Sequence, residues 1–509
     1  MIILLSEAIL WPCRLALAST ALDDYVAAPD PNYSYSLIYT VVDSNWGYTG
    51  YILDVNSQNW RNADEVDRTL WKHWLTVVVP WAVSEDTALL LVDGGNNGGP
   101  PPDGIDLRLA LVAALTNTVV ARLEMVPNQP LYFADESRPR SEDAIIAYSW
   151  EKFVTTGDQT WPVQLPMVKS AVRAMDTIQT FCNSPDGGNI SINNFVVGGG
   201  SKRGWTTWLT AAVDSRVRAI IPLVFDAPNL EESFRHHYSA YGYWAPAVSD
   251  YEEMGVFDWI NTAEMEALME IVDPYVYFSR FTMPKYIINS TGDEFFLPDS
   301  SRFYFEDLPN KKYLRYIPNT SHSLEQATLD VIDSVASFYK AVLSEMQLPE
   351  FSWTLENDGS IHVQTLDTPK EVRLWQASNS TARDFRLETI GAAWTSSVLS
   401  DQGGGMYIGK VPQPETGWTA FFVELIYDSG EGFDFKFSTV VNVVPDYLPF
   451  VADFNFDGEI DLSDLGYFAG QWLQTEPSLA DIAPKGRDGI VNLLDFALLG
   501  ENWLGKAAP

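Results

Sequence analysis

The sequence predicts an α/β fold, a mostly parallel β-sheet covered by helices and a helical cap, followed by a β-sandwich and a small acidic helical module. Three observations predict it. Short apolar, β-branched runs alternate with helical stretches between about residues 25 and 345. From 351 to 445 the texture changes to short alternating strands separated by turns. From 450 to 507 Asp, Asn and Gly recur at fixed spacing. A chain of 509 residues exceeds what one hydrophobic core usually organises, so several domains are expected.

The first stretch, Met1 to Ala18, is apolar and ends in Ala16-Leu17-Ala18, an A-x-A-like cleavage pattern, although Glu7 interrupts it. A removed export signal over residues 1–21 is expected, and with it a bacterial secreted or cell-surface location. Cys13 lies in that segment, leaving Cys182 alone and no disulfide framework. Hydrophobic residues at 46% and charged residues at 20% suit a globular protein, whereas the net charge of −36 argues against nucleic acid or an anionic membrane as partner. No later run is apolar over about 20 residues, so no membrane span is expected.

Two runs, Leu37–Val42 and Gly50–Val55, flank Ser44-Asn45-Trp46-Gly47 and read as an antiparallel hairpin. Strands follow at Leu75–Val79, Ala88–Val92, Val119–Leu123, Phe195–Val197, Ala219–Val224 and Tyr286–Ile288. Helices are expected at Leu107–Leu115, Glu142–Phe153, Met167–Phe181, Thr206–Val213 and Leu324–Val342. The aromatic, acidic stretch from about 227 to 282 breaks this rhythm. An insertion there suits a cap over the sheet's C-terminal edge. The β-rich part from 351 to 445 reads as structural support or spacing.

Asn194 to Trp205 reads as a buried strand, the turn Gly198-Gly199-Gly200-Ser201, and then a helix. A serine on such a turn holds its hydroxyl above the sheet edge, the first N–H groups of the helix supply positive potential for an oxyanion, and Lys202, next to the serine, is expected to contribute a donor. Gly199 stands two residues before the serine, but Arg203 occupies the place of a second glycine and Gly204 follows. A glycine-rich strand–helix turn can also bind phosphate, so the serine needs partners elsewhere. Asp293 follows the strand at 286–289, with Glu294 and Asp299 as alternative acids. His322 follows the next strand, Leu314–Ile317, and none of the other four histidines, His73, His236, His237 and His362, lies in such a loop. Chain order Ser, Asp, His, each after a strand, is that of α/β-hydrolases. A second oxyanion donor is expected from the loop after Ala88–Val92, at Gly95 or Asn96.

Ser201-Lys202-Arg203-Gly204-Trp205-Thr206-Thr207-Trp208, Val213-Asp214-Ser215-Arg216-Val217 and Val126-Pro127-Asn128-Gln129-Pro130-Leu131 resemble the PhoPQ-activated pathogenicity-related protein family, over roughly residues 25 to 445. The resemblance implies an α/β-hydrolase fold with the nucleophile at Ser201. The turn is loosely similar to that of glucuronoyl esterases, in which arginine rather than Lys202 follows the serine.

Near the C-terminus, Asp453, Asn455, Asp457, Asp461 and Asp464 fall at positions 1, 3, 5, 9 and 12 of an EF-hand-type loop. Gly458 stands at 6 and the Glu459 carbonyl at 7. A second copy carries Asp488, Asn492 and Asp495, but Pro484 and Gly486 occupy its first and third positions, and Asp481 serves only if the loop is lengthened. The pair resembles dockerin type I modules, which implies structural Ca²⁺ and a cohesin-like or cell-surface scaffold as partner. The expected function is a secreted serine hydrolase without a catalytic cofactor, acting on a small-molecule or polymer-linked acyl substrate. A catalytically silent binding or signalling protein and a surface-attachment protein are the rival readings.

Overall fold

The computed structural model describes residues 19–430, 432–456, 459–474, 478, 480–483 and 489–505. Cys13 and the cleavage pattern lie outside the described residues, as do Asp457, Gly458, Pro484, Gly486 and Asp488. Thr20 caps the first helix, Ala21–Ala27, in a reciprocal capping box with Asp23.

Nine strands form the main sheet: β1 (Ser34–Asp43), β2 (Tyr48–Asn59), β3 (Leu70–Pro80), β4 (Thr87–Val92), β5 (Val120–Leu123), β6 (Asn194–Gly200), β7 (Val217–Leu223), β8 (Lys285–Ser290) and β9 (Lys312–Ile317). Their order is β1-β2-β3-β5-β4-β6-β7-β8-β9. Pairing is antiparallel from β1 through β3 to β5 and parallel from β5 to β9. The parallel strands are buried on both faces, which is why they read as continuous apolar runs. Along β6, Phe195 and Val197 enter one core and Val196 the other. Helices Gln164–Cys182 and Lys202–Val213 pack together, and Leu107–Thr116 packs with Thr328–Leu343.

Among the described residues, the stretch between β7 and β8 holds no strand. Helices Leu230–Tyr241, Ser249–Glu253 and Ala263–Val272 occupy it.

The β-rich part forms two antiparallel sheets. One has strands Phe351–Leu355, Ile361–Thr365 and Met406–Gly409; the other is built on Glu371–Asn379 and Trp418–Asp428. Rather than standing apart, it shares both cores of the α/β part: Phe422 belongs to one and Phe421 to the other. Ser438 Oγ accepts the Tyr316 N–H of edge strand β9 at 3.0 Å, and the Leu387 N–H donates to the Gly292 carbonyl at 3.0 Å.

The C-terminal segment carries helices Leu462–Gln471 and Leu493–Glu501. Each starts with a capping box, Asp461 with Asp464 and Asn492 with Asp495. The segment also touches the cap. Phe456 packs edge-on against Tyr238, with ring centroids 4.9 Å apart, and lies beside Trp244 at 5.9 Å.

Candidate active site

The turn after β6 is tight because two glycines permit it. A Cβ on Gly199 would stand 2.6 Å from the Arg203 carbonyl, and one on Gly204 would stand 2.9 Å from the Leu223 carbonyl of β7. The second glycine is therefore displaced by one residue without losing its purpose, which is close passage of helix over strand. Ser201 sits between them at φ 58°, ψ −127°, a strained conformation for a residue with a Cβ. The helix begins at once, at Lys202 rather than near Thr206, so the Lys202 amide is its first N–H.

The loops after β8 and β9 carry the other two groups. Ser201 Oγ lies 2.7 Å from His322 Nε2, and His322 Nδ1 lies 2.9 and 2.8 Å from the two carboxylate oxygens of Asp293. Asp293 is oriented in turn by the N–H groups of Phe295 and Phe296, at 2.8 and 3.2 Å. Burial disfavours a charged His322, but the adjacent Asp293 outweighs it and raises the imidazole pKa above its usual 6.5. The alternative acids are engaged elsewhere. Glu294 accepts the His322 backbone N–H at 2.8 Å, and buried Asp299 binds His236 and Arg383 at 2.8 and 2.5 Å. Of the other histidines, His73 is buried against Ser57, His362 is on a β-sandwich strand, and burial pushes His237 down to about 3.

Lys202 sits beside this group. Its ammonium pairs with Glu142 at 2.8 Å and Asp143 at 2.9 Å, and Arg203 pairs with Glu142 at 2.7 Å. Burial would raise the Glu142 pKa, but hydrogen bonding from Arg203 and the two positive charges lower it to about 2. Gly95 and Asn96 occupy the loop expected of them, yet they line a separate open groove with Trp74, Asp106 and Arg122. The Arg203 guanidinium packs against that loop, 2.7 Å from where a Cβ on Gly94 would stand. The structure thus gathers Ser201, Asp293 and His322, with Ser201 and Lys202 lining a cavity, while Gly95 and Asn96 line the groove beside Trp74.

That cavity lies between the sheet edge and the cap. Sequence reading missed its walls, Trp150, Trp205, Phe225, Trp244, Phe257 and Phe296 among them, because they come from distant segments. The one available signal was the density of aromatic residues between 227 and 282.

At the C-terminus the two repeats match in space. Asp464 accepts the N–H groups of Phe454 and Asn455 at 2.6 and 3.4 Å, and Asp495 accepts those of Ile482 and Ala483, both at 2.7 Å. Asp481 is therefore the counterpart of Asp453, in a second loop lengthened between them, and Ala483 stands where Asn455 would. Asp453 and Asp464 are buried, 2% and 0% exposed, and the turn brings positions 1, 3 and 12 together. Among the described residues no group of three or more His, Cys, Asp or Glu is arranged to hold a metal ion, and Asp457 lies outside those residues.

Sheet order and the tight strand–helix turn at Ser201 define an α/β-hydrolase-like core. The chain belongs to the PhoPQ-activated pathogenicity-related protein family, which it matches over residues 22–386. It is 37% identical over 464 residues, 86% of this chain and 92% of the other, to autocrine proliferation repressor protein A of Dictyostelium discoideum. Among solved structures it is similar to acetyl xylan esterase 1 from a Thermoanaerobacterium species, at 14% identity and TM-score 0.42, over 63% of this chain and 91% of that one. It is also similar to glucuronoyl esterase from Solibacter usitatus, at 14% identity and TM-score 0.38, over 63% and 91% of the two chains.

Proposed function

We propose that the protein is a serine hydrolase acting on an acyl compound, an ester (including one linked to a polysaccharide) or a peptide, with Ser201, His322 and Asp293 as its triad. The observation that carries this reading is the unbroken chain of contacts, 2.7 Å from Ser201 Oγ to His322 Nε2 and 2.8 Å from His322 Nδ1 to Asp293. Ser201 Oγ bonds to the acyl carbon while its proton passes to His322 Nε2. The bond to the leaving group then breaks, and the leaving group takes that proton. Water gives a proton to His322 as it bonds to the acyl carbon, the bond from that carbon to Ser201 Oγ breaks to release the acid, and Oγ takes the proton back from His322. Asp293 stabilises the imidazolium and fixes its tautomer, and the Lys202 N–H faces the developing oxyanion. Labelling with a fluorophosphonate followed by peptide mapping tests the reading: adduct at Ser201 supports it, and a folded protein with no adduct there overturns it.

The C-terminal segment is proposed to bind Ca²⁺ through Asp453, Asn455, Asp457, the Glu459 carbonyl, Asp461 and Asp464. A second, weaker site would use Asp481, Asp488, Asn492 and Asp495. The loop spacing of these residues and the burial of the Asp453 and Asp464 carboxylates support this reading. When bound, the ion would supply structural cross-linking of the loop and no chemistry at Ser201. Export and docking on a cohesin-like or cell-surface scaffold complete the proposal, supported by the A-x-A pattern and the paired loops. A second reading, a signalling protein on a hydrolase fold, is favoured by the name of the Dictyostelium relative, a proliferation repressor. Absence of label at Ser201 would select it.

A further inference from the structure

The cavity lined by Ser201 is small. Its volume is about 50 Å³, room for roughly three to five water-sized groups at about 10–15 Å³ each. Packing fixes its walls. Trp244 stacks on Phe257 with ring centroids 3.5 Å apart, and Trp205 stacks on Phe225 at 4.8 Å. The polar groups of the walls are matched within the protein. Trp205 Nε1 donates to the Val272 carbonyl at 2.6 Å, and the Tyr251 hydroxyl donates to Asp143 at 2.9 Å. The Lys202 ammonium already faces two carboxylates, Asp143 at 2.9 Å and Glu142 at 2.8 Å, so a third on a ligand would meet net negative charge.

Which side of an ester enters follows from the two ends of the catalytic contact. Ser201 lines the cavity, and His322 is not among its lining residues. Phe295 and Phe296 line it and also flank the imidazole, with ring centroids 4.5 and 6.0 Å away. A leaving group takes its proton from His322 Nε2, so it departs on the imidazole side of Ser201. The acyl group stays bonded to Ser201 Oγ and is the part left to occupy the cavity. We propose that the cavity admits a short, uncharged acyl group of about two to four carbons, and that the alcohol side, whatever its size, stays outside. This rests on Ser201 being the nucleophile.

The experiment compares kcat/KM of the full chain on three isomeric esters, octyl acetate, hexyl butyrate and methyl nonanoate, which differ only in how their carbons are divided about the carbonyl. Octyl acetate and hexyl butyrate should each exceed methyl nonanoate by about tenfold or more, the effect of forcing extra methylenes against packed walls. Hexyl hydrogen succinate, with the carbon count of butyrate but a carboxylate at its end, should fall about tenfold or more below hexyl butyrate. Two buried wall residues, Ala227 and Leu230, allow the size limit to be moved. Ala227→Val should lower butyrate relative to acetate by about threefold or more, and Leu230→Ala should raise nonanoate relative to acetate by a similar factor. If Leu230→Ala does not fold, Ala227→Val and the wild-type series decide. Equal rates on the three isomers, succinate as fast as butyrate, or an unchanged butyrate-to-acetate ratio in Ala227→Val overturns the assignment. Faster turnover of methyl nonanoate also overturns it, by putting the alcohol in the cavity. Fluorophosphonate labelling separates the two levels: a protein labelled at Ser201 but indifferent to acyl length overturns the substrate class alone, and an unlabelled protein overturns the hydrolase reading.

Discussion

His322 Nε2 lies 2.7 Å from Ser201 Oγ although the two residues come from separate loops at the sheet edge. This contact makes the pair a single chemical unit. Ser201→Ala and His322→Ala should each lower turnover of an activated ester by roughly 10⁴-fold or more, and the double variant should be little worse than either. Steady-state kinetics on all three proteins check it; additive losses would show the residues acting separately.

The pH dependence follows from His322. As the proposed base it must be neutral, and Asp293 raises its pKa above 6.5 despite burial. Thus kcat/KM should rise with pH through a midpoint above 6.5. Asp293→Asn removes the charge that raises it, so the midpoint should move down as the rate falls. A histidine with a raised folded pKa stabilises the fold below its unfolded pKa and loses that contribution as pH rises through the folded one. Activity should therefore grow over the range in which this contribution to stability fades.

Asp299 is a junction of the cap, the loop after β8 and the β-sandwich, through His236, Arg302 and Arg383. Asp299→Ala leaves Arg383, 1% exposed, without its buried counter-charge. The loss should be about 3–5 kcal/mol, read from urea unfolding.

Gly292 has no room for a side chain: a Cβ there would stand 2.7 Å from the Thr320 carbonyl and 2.8 Å from the Leu387 nitrogen. Gly292→Ala should therefore lower both the melting temperature and kcat by pushing the Asp293 loop away from the sandwich. An unchanged kcat would show that the loop holds Asp293 without that contact.

Calcium titration of the full chain by calorimetry should reveal a stronger site lost in Asp453→Ala. Asp481→Ala should affect a weaker one, since Ala483 offers no side-chain oxygen where the first loop has Asn455. Equal affinities would contradict the register drawn from Asp464 and Asp495.

The sheet and its loops were legible because buried parallel strands are apolar on both faces and because Ser201, Asp293 and His322 each follow one. Gly204 was legible as a glycine but not as a packing requirement, which appears only when β7 lies beside the helix. Gly95 and Asn96 read as ligand-facing because of their glycine neighbours. Nothing local reveals that Arg203 packs against the neighbouring Gly94. The second acidic loop hid its register because the extra residues fall between Asp481 and Asn492, and only the matching backbone contacts of Asp464 and Asp495 expose it.

The bond from the Leu387 amide to the Gly292 carbonyl also bears on the order of biosynthesis. A ribosome adds roughly 5–20 residues per second, and domains commonly fold as they emerge. Here the loop that presents Asp293 is braced by chain made much later, and the strand at Asn442–Val444 still has to pair with Trp418–Asp428. A nascent chain that has already exposed Ser201 and His322 would thus lack this brace. Pulse-labelling arrested chains of increasing length with a fluorophosphonate should show reactivity arising late, once the sandwich is complete, instead of when His322 emerges.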